Sequence, residues 1–426
     1  MSLCCPDCPH RERLGYGGDA LASGEAGLSI FDLSTFYEKR VVDYSDARRA
    51  NGGFTETAPF VSMANSGMGG DSGPIGWQTF QPAAQLWLYK YFGNKRTLEV
   101  NWNRTKQFME FLTTAPPTGL GDWMPTERPT PTMTAPLFQH ECFLAAANIS
   151  LILGEPAAEQ TRWRALVGNA LAGFTTKFLN HSTGVYRAPG RTDLTQCGQA
   201  APIFMGIVPP ASHALALARL VDSVTAADGH MMTGMFGVKW FLMALAETGN
   251  VDLAYAALTK TSFPSYGFML ANGSTTVWEG WFFSADMYSH DHPAFGSAIT
   301  FMSQVLGGIQ PHPAAKGFDR VLIKPRPPKG LAHFQASFNS MRGLIVVKWS
   351  WAQVPGTVDG PGGTRKLQLH VHVPPNVAAE IHVPTTGGTA VLDHSTGEQT
   401  AAQHGQSATV LTRGSGTHDF SSWVKA

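Results

Sequence analysis

The chain has 426 residues, more than one hydrophobic core usually supports, so we expect two domains, one of them large. Lysine plus arginine and aspartate plus glutamate each number 31, and no basic run occurs, which excludes the charge pattern of a nucleic-acid or anionic-membrane partner. No uninterrupted apolar run long enough for a membrane span is visible, and the first residues carry no secretory signal, so we expect a soluble protein. The sequence assigns neither a compartment nor an oligomeric state.

The first informative stretch runs from Asp7 to Asp19 and holds three carboxylates, those of Asp7, Glu12 and Asp19. A proline and a glycine cluster around them predict an irregular segment rather than a helix. Carboxylates that converge on a cavity from such a segment suit sugar chemistry. A solvated charged loop is the alternative, and on this stretch alone it is favoured.

Apolar spacing next predicts a succession of helices. We expect one long helix over 22–49, a glycine-rich loop over 51–77, and further helices over 78–91, 97–112, 136–153, 155–180, 196–206, 211–226, 234–248 and 251–261. Helices that follow one another in pairs indicate an array of α-hairpins. Since no fixed-length repeat is present, we expect a closed barrel rather than an open solenoid.

After Ile309 the chain becomes rich in β-forming residues. Strands are predicted over 321–323, 334–338, 344–349 and 367–373. In the last of these, His370 and His372 alternate with apolar residues, so they are predicted to face solvent rather than to bind a metal. We therefore predict a helical domain over 1–312 and a C-terminal antiparallel β-sandwich over 313–426.

A second acid, Glu279, lies between Trp278 and Trp281 after a β-like run. A carboxylate flanked by indoles would be partly desolvated, which suits proton transfer. A structural glutamate at a strand end is the alternative, and on spacing alone it is favoured. His292, further along, could hydrogen-bond a ligand hydroxyl or serve a structural role.

Seven sequence blocks, in this order, resemble the α-L-rhamnosidases, a family of glycosidases built on six helical hairpins. They are Asp-Cys-Pro-His-Arg-Glu-Arg-Leu-Gly-Tyr-Gly-Gly-Asp from Asp7, Gly-Trp from Gly76, Gly-Asp-Trp from Gly121, Gly-His-Met-Met-Thr-Gly from Gly229, Phe-Pro-Ser-Tyr-Gly from Phe263, Thr-Thr-Val-Trp-Glu-Gly-Trp from Thr275, and His-Pro-Ala-Phe-Gly from His292. The resemblance implies an (α/α)6 barrel followed by a β-sandwich, and an inverting hydrolase.

The resemblance also implies roles for individual residues. Glu12 matches the general acid and Glu279 the general base of such enzymes. The positions that hold the rhamnose hydroxyls match Asp7, Arg11, Asp19 and His292. Ring faces for the apolar edge of the sugar would come from Tyr16, Trp77, Trp123 and Trp278. No metal and no organic cofactor is expected.

The leading hypothesis is therefore a glycoside hydrolase that releases terminal α-L-rhamnose from a rhamnose-containing glycoside or polysaccharide. Two alternatives stay open: a rhamnosyl-glucuronate lyase on the same barrel, and a non-catalytic carbohydrate-binding protein or truncated pseudo-enzyme. Family members carry barrel helices and β-domains before the acid motif, which begins here at residue seven. We thus expect either a fragment that lacks the N-terminal part or a barrel that closes incompletely there.

Overall fold

A computed structural model describes residues 8–9, 11–127, 131–285, 288–352, 363–387, 389–403 and 405–425. The chain divides into two compact units. The first comprises residues 1–88 and 95–298, and the second comprises residues 89–94 and 299–426. The division at residues 312 and 313 stays a prediction.

Helices make up most of the first unit. Their bounds are α1 (Gly17–Leu28), α2 (Ser34–Ala47), α3 (Ile75–Gln78), α4 (Phe80–Phe92), α5 (Lys95–Thr114), α6 (Pro131–Leu153), α7 (Ala157–Phe178), α8 (Gln196–Phe204), α9 (Pro210–Ala226), α10 (Met235–Glu247), α11 (Val251–Leu258), α12 (Tyr266–Ala271) and α13 (Ala298–Phe301). A 3-10 turn (Ala294–Ser297) precedes α13, and a π-helical turn (Met302–Leu306) follows it. The end of α4 from Tyr89, the part of α13 from Ile299 and the π-helical turn belong to the second unit.

Successive helices pack against each other as hairpins, α6 with α7, α8 with α9 and α10 with α11. Helix α1 contacts both α10 and the 3-10 turn Ala294–Ser297, so the start of the helical array meets its end. The predicted closed helical barrel is thereby confirmed.

By length and composition α6 could cross a membrane. Half of its apolar stretch is buried inside the protein, however, and the core helices of soluble proteins can have the same length and composition.

The predicted single helix over 22–49 is wrong, because the helix is interrupted between the end of α1 and the start of α2. At this break the Asp32 carboxylate accepts a hydrogen bond from the backbone N–H of Ser34, at 3.1 Å. A short polar side chain that captures a nearby backbone donor competes with a continuous helix in this way. The helix predicted over 155–180 ends at Phe178, and β1 (Leu179–Asn180) pairs with β2 (Val185–Tyr186) in a short hairpin that was not predicted.

The second unit contains two sheets. Its strands are β3 (Ile309–Pro311), β4 (Arg320–Ile323), β5 (His333–Ser340), β6 (Gly343–Trp351), β7 (Thr364–Val373), β8 (Ala378–Pro384), β9 (Ala390–Asp393), β10 (Gln399–Ala401), β11 (Ala408–Arg413) and β12 (Gly416–Lys425). The order is β10-β9-β12-β7-β6-β5 in one sheet and β11-β8-β4-β3 in the other. Pairing is antiparallel except between β4 and β8, which run parallel.

Strand β7 shows the alternation that its sequence predicts. The side chains of Leu367, Leu369, Val371 and Val373 are buried. On the opposite face His370 is 37% exposed, and its Nδ1 lies 2.8 Å from a carboxylate oxygen of Asp419. The prediction that this face is turned outward is confirmed.

Candidate active site

A pocket of about 270 Å³ opens in the first unit. Acidic, basic and aromatic side chains from distant parts of the chain line it together: Arg11, Glu12, Tyr16, Asp19, Glu56, Met63, Asn65, Trp77, Leu120, Trp123, Glu279, Tyr288 and His292. Both acids that the sequence singled out, Glu12 and Glu279, therefore belong to one cavity.

The N-terminal wall of this pocket is an irregular turn that leads into α1. The backbone N–H groups of Arg11 and Arg13 both donate to the carbonyl oxygen of Cys8, at 3.1 and 3.2 Å. Helix α1 then begins at Gly17 and brings Asp19 to the floor of the pocket. The turn thus supplies Arg11 and Glu12, as the proline and glycine pattern predicted.

Close packing of α1 on Trp77 depends on glycine. A Cβ atom at Gly18 would lie only 2.5 Å from the indole ring of Trp77. The absence of a side chain at this position lets the ring, which is 4% exposed, form a wall of the pocket next to Asp19.

Glu279 is 4% exposed and lies in a loop, and the β-like run before it does not form a strand. Its backbone N–H donates to the carbonyl oxygen of Ser289 at 2.9 Å, and the Ser289 N–H donates back to Glu279 Oε2 at 2.8 Å. Nearby, the N–H of His292 donates to the carbonyl oxygen of Val277 at 2.9 Å. These contacts join the two ends of the loop and fix the direction of the Glu279 carboxylate.

Arg11 lies between the two acids. Its Nη2 atom is 3.5 Å from Glu279 Oε2 and 3.7 Å from Glu12 Oε2. The two carboxylate oxygens can therefore be no farther apart than the sum of these distances, about 7 Å.

The two oxygens of Glu279 have different surroundings. Ser289 N, Arg11 Nη2 and, at 3.8 Å, Cys8 Sγ all contact Oε2. Among the described residues, no hydrogen bond or ion pair reaches Oε1.

His292 and Asp19 form a buried pair at the floor, with Nε2 of the imidazole 3.6 Å from a carboxylate oxygen. The Nδ1 atom accepts a hydrogen bond from the backbone N–H of Ala294 at 3.2 Å. In a neutral imidazole this assigns the proton to Nε2, which faces the carboxylate. The ring is thus held in one orientation.

Cys8, Glu279 and His292 bring potential metal-ligand atoms within 4.8 Å of one another. A cation already lies there, because Arg11 Nη2 is 3.2 Å from Cys8 Sγ and 3.5 Å from Glu279. The imidazole also has one nitrogen occupied by a backbone donor and the other facing the Asp19 carboxylate. These residues therefore suit an arginine-centred cluster better than a metal ion.

Asp122, Glu127 and Cys197 form a second such group. The Asp122 carboxylate accepts from the backbone N–H groups of Gly234, Phe236 and Gly237, and that of Glu127 accepts from those of Gln196 and Cys197. Both carboxylates thus cap helix N-termini, at α10 and α8. Burial raises the pKa of Asp122 to about 6 and the pKa of Glu127 to about 8.

Two of the predicted site residues do not join the described lining. Trp278 is buried, and its ring packs against Phe283 at 5.4 Å and His290 at 5.8 Å instead of facing the cavity. The expected sugar contact of Trp278 is therefore not seen, since the sequence placed an indole near Glu279 without indicating its direction. Asp7 lies outside the described residues, and its role stays a prediction.

The lining also includes residues that the sequence did not single out, namely Glu56, Met63, Asn65, Leu120 and Tyr288. Glu56 is 1% exposed and accepts a hydrogen bond from the backbone N–H of Asn65 at 2.6 Å. Both belong to the long glycine-rich loop over 51–77. Its length was the available signal, because loops of that size commonly carry function.

A closed ring of helical hairpins with two glutamates facing one pocket is the architecture typical of a helical-barrel glycosidase. Residues 2–306 match the bacterial alpha-L-rhamnosidase 6 hairpin glycosidase domain, and residues 308–398 match the bacterial alpha-L-rhamnosidase C-terminal domain. The chain belongs to the bacterial α-L-rhamnosidase family.

Individual relatives agree with this assignment. An alpha-L-rhamnosidase of Streptomyces avermitilis is 30% identical over 97% of this chain and 39% of its own length. The crystal structure of a Streptomyces avermitilis alpha-L-rhamnosidase complexed with L-rhamnose superposes with a TM-score of 0.82 at 29% identity, covering 97% of this chain and 39% of that one. The structure of an alpha-L-rhamnosidase from Dictyoglumus thermophilum gives a TM-score of 0.86 at 25% identity, covering 98% and 47%. The chain thus spans less than half the length of these relatives.

Proposed function

We propose that the protein is a glycoside hydrolase that releases terminal α-L-rhamnose from rhamnosides by an inverting general acid and base mechanism. The observation that carries the proposal is the position of Arg11, whose Nη2 contacts both Glu12 and Glu279 and so places the two acids in one pocket. The likeness to rhamnosidases, one of them complexed with L-rhamnose, supports rhamnose as the sugar.

The proposed base is Glu279. Its burial and the donors on Oε2 hold the carboxylate in one orientation, while Oε1 is left for a water molecule. An inverting enzyme needs room for that water, and its two carboxyl groups stand roughly 6.5–9.5 Å apart. The contacts of Arg11 set an upper limit of about 7 Å on the distance between the two Oε2 atoms, which is compatible only with the lower end of this range.

The proposed acid is Glu12, whose side chain is 36% exposed at the pocket mouth. In this position it can meet the glycosidic oxygen of a leaving group that extends toward solvent. Proton donation there avoids the expulsion of a free alkoxide, which is the difficult part of glycoside cleavage.

The remaining lining supports recognition of one sugar. We assign the rhamnose hydroxyls to Asp19, His292 and Arg11, and the apolar edge of the ring to Tyr16, Trp77 and Trp123. In this proposal the catalytic domain is the helical region 1–312, and the substrate is a rhamnose-containing glycoside or polysaccharide.

The two alternative functions receive less support. A lyase needs a cation for the uronate carboxylate, and Arg11 is already shared by two glutamates. A binding protein has no need for an acid and a base in the same pocket, and the related proteins are named rhamnosidases.

The experiment is incubation with an aryl α-L-rhamnoside and with a rhamnose-bearing acidic polysaccharide, followed by chromatography of the products. Free rhamnose and saturated uronate support the hydrolase. An unsaturated uronate would instead identify a lyase, and tight binding of rhamnose without turnover would identify a binding protein.

A further inference from the structure

The lining of the pocket changes character from its floor to its mouth. The floor consists of buried polar groups, Asp19, Glu56, Glu279 and His292. The mouth has a polar part, formed by Arg11, Glu12 and Asn65, and an apolar or aromatic part, formed by the partly exposed side chains of Met63, Leu120, Trp123 and Tyr288. The floor therefore suits a sugar, and one part of the mouth suits a less polar group.

The cavity itself holds little more than one monosaccharide. Its volume of about 270 Å³ lies just below the roughly 300–1,000 Å³ of pockets that enclose drug-sized ligands. The group attached to a bound rhamnose must therefore lie at the mouth or beyond it.

Phe282 extends the mouth outward. Its ring is 42% exposed and meets the ring of Tyr288, a lining residue, edge to face at a centroid distance of 5.7 Å. Large apolar side chains exposed beside a cleft are often part of a binding surface. We call the rings of Tyr288 and Phe282 the aromatic platform.

Hydrogen bonds hold the loop that carries Phe282 on both sides of the platform. The two hydrogen bonds between Glu279 and Ser289 join the two ends of this loop. Further out, a ring nitrogen of His290 lies 2.6 Å from the carbonyl oxygen of Ser284. The platform thus has a fixed position relative to the proposed base.

The neighbouring ring, Phe283, is oriented differently. It stacks on His290 at 4.6 Å and meets Trp278 at 5.4 Å, neither of which lines the pocket, although it is 57% exposed. Two adjacent phenylalanines on one loop therefore offer a variant at the mouth and a matched control away from it.

We propose that the aromatic platform of Tyr288 and Phe282 binds a planar aromatic leaving group, and that Phe282 determines the preference for such substrates. The exposed ring of Phe282 stands beside that of Tyr288, and the mouth also includes the apolar side chains of Met63 and Leu120, so a flat aromatic group can bury more apolar surface there than a sugar can. This inference rests on the proposed hydrolase function.

The test compares a 2-naphthyl and a methyl α-L-rhamnoside with the unmodified protein, Phe282→Ala, Phe282→Leu and Phe283→Ala. Loss of one aromatic contact predicts a roughly two- to tenfold fall in kcat/KM for the naphthyl substrate in both Phe282 variants. The methyl substrate and the Phe283→Ala protein should remain at the unmodified level. Inhibition by free 2-naphthol should weaken in the Phe282 variants, while inhibition by L-rhamnose should not.

Equal losses for both substrates, or equal losses in the Phe282 and Phe283 variants, would overturn the platform and leave the hydrolase proposal standing. Unchanged inhibition by 2-naphthol in both Phe282 variants would also overturn it. If the unmodified protein cleaves neither substrate, the proposed function itself fails and the platform fails with it.

Discussion

Glu279 and Ser289 are joined by two hydrogen bonds, one from each backbone N–H, and one of these ends on the Glu279 carboxylate. The contact fixes one carboxylate oxygen with a protein donor, and the proposed mechanism uses the other oxygen for a water molecule. A buried carboxylate held in this way needs no rearrangement before it accepts a proton, which is the usual benefit of a preorganised site.

The two proposed catalytic acids should differ in their dependence on the leaving group. Glu12→Gln removes the proton donor, so kcat should fall roughly 100- to 10,000-fold for methyl rhamnoside and much less for a nitrophenyl rhamnoside, whose leaving group needs no proton. Glu279→Gln should slow both substrates alike. Steady-state kinetics on the two substrates measures the difference. Glu99→Gln, on the exposed side of α5, is the control, and a leaving-group effect in the Glu279 variant would reverse the assignment.

Arg11 should hold both proposed catalytic acids in place. Its Nη2 atom contacts Glu12 and Glu279, so Arg11→Gln should lower kcat/KM by up to roughly 100-fold through loss of their alignment. Steady-state kinetics on an aryl rhamnoside measures the change. Arg13→Gln serves as the control, because Arg13 is exposed and donates to the carbonyl oxygen of Pro9. Equal kcat/KM values in the two variants would show that Arg11 does not position the acids.

Two helical glycines should respond in opposite ways to alanine. Gly168, in α7, has nothing within 4 Å of a Cβ atom, so Gly168→Ala should raise the free energy of unfolding by about 0.5–1 kcal/mol. Gly18→Ala should lower it by about 1–3 kcal/mol, because the new methyl group would clash with Trp77. Denaturant titration measures both changes. Activity should fall in the Gly18 variant alone, since Trp77 lines the pocket, and full activity there would contradict the assigned wall.

Stability should decrease as pH rises through the neutral range. Burial raises the pKa of Glu127 from 4.5 to about 8, so between these values the folded protein binds more protons than the unfolded chain. The free energy of unfolding therefore falls across this window and levels off above it, and Asp122, with its pKa raised from 3.8 to about 6, adds to the fall at the acidic end. Urea titrations at several pH values measure the slope.

The matched variant for this slope is Glu127→Gln. The two backbone N–H groups of α8 bond to different oxygens of Glu127, and the amide keeps only one of these oxygens, so the variant should be less stable at pH 5. Its stability should nevertheless depend less on pH than that of the unmodified protein. An unchanged slope would show that Glu127 does not hold its proton in the folded state.

Features with a regular period were predictable from the sequence. The alternation of Leu367, Leu369 and Val371 with histidines predicts the buried face of β7, because every second strand residue points to the same side. The helices of the hairpins were predicted in the same way, from the spacing of apolar residues. The break at Asp32 was missed, since it depends on one side-chain contact with Ser34.

The site was predictable in its residue types but not in its geometry. Glu12 and Glu279 were singled out by their neighbours and by the family resemblance, and the structure places both in one pocket. The direction of the Trp278 ring and the contribution of Glu56 depend on tertiary packing, which no local pattern encodes. The loop conformation of Glu279 likewise depends on Ser289, ten residues further along the chain.

In the proposed mechanism, Glu279 directs a water molecule to the face of the sugar opposite the leaving group. Proton NMR of the rhamnose released in the first minutes from an aryl α-L-rhamnoside, before the anomers equilibrate, tests this mechanism directly. An inverting reaction forms β-L-rhamnose first. Initial formation of α-L-rhamnose would instead show retention and rule out the proposed role of Glu279.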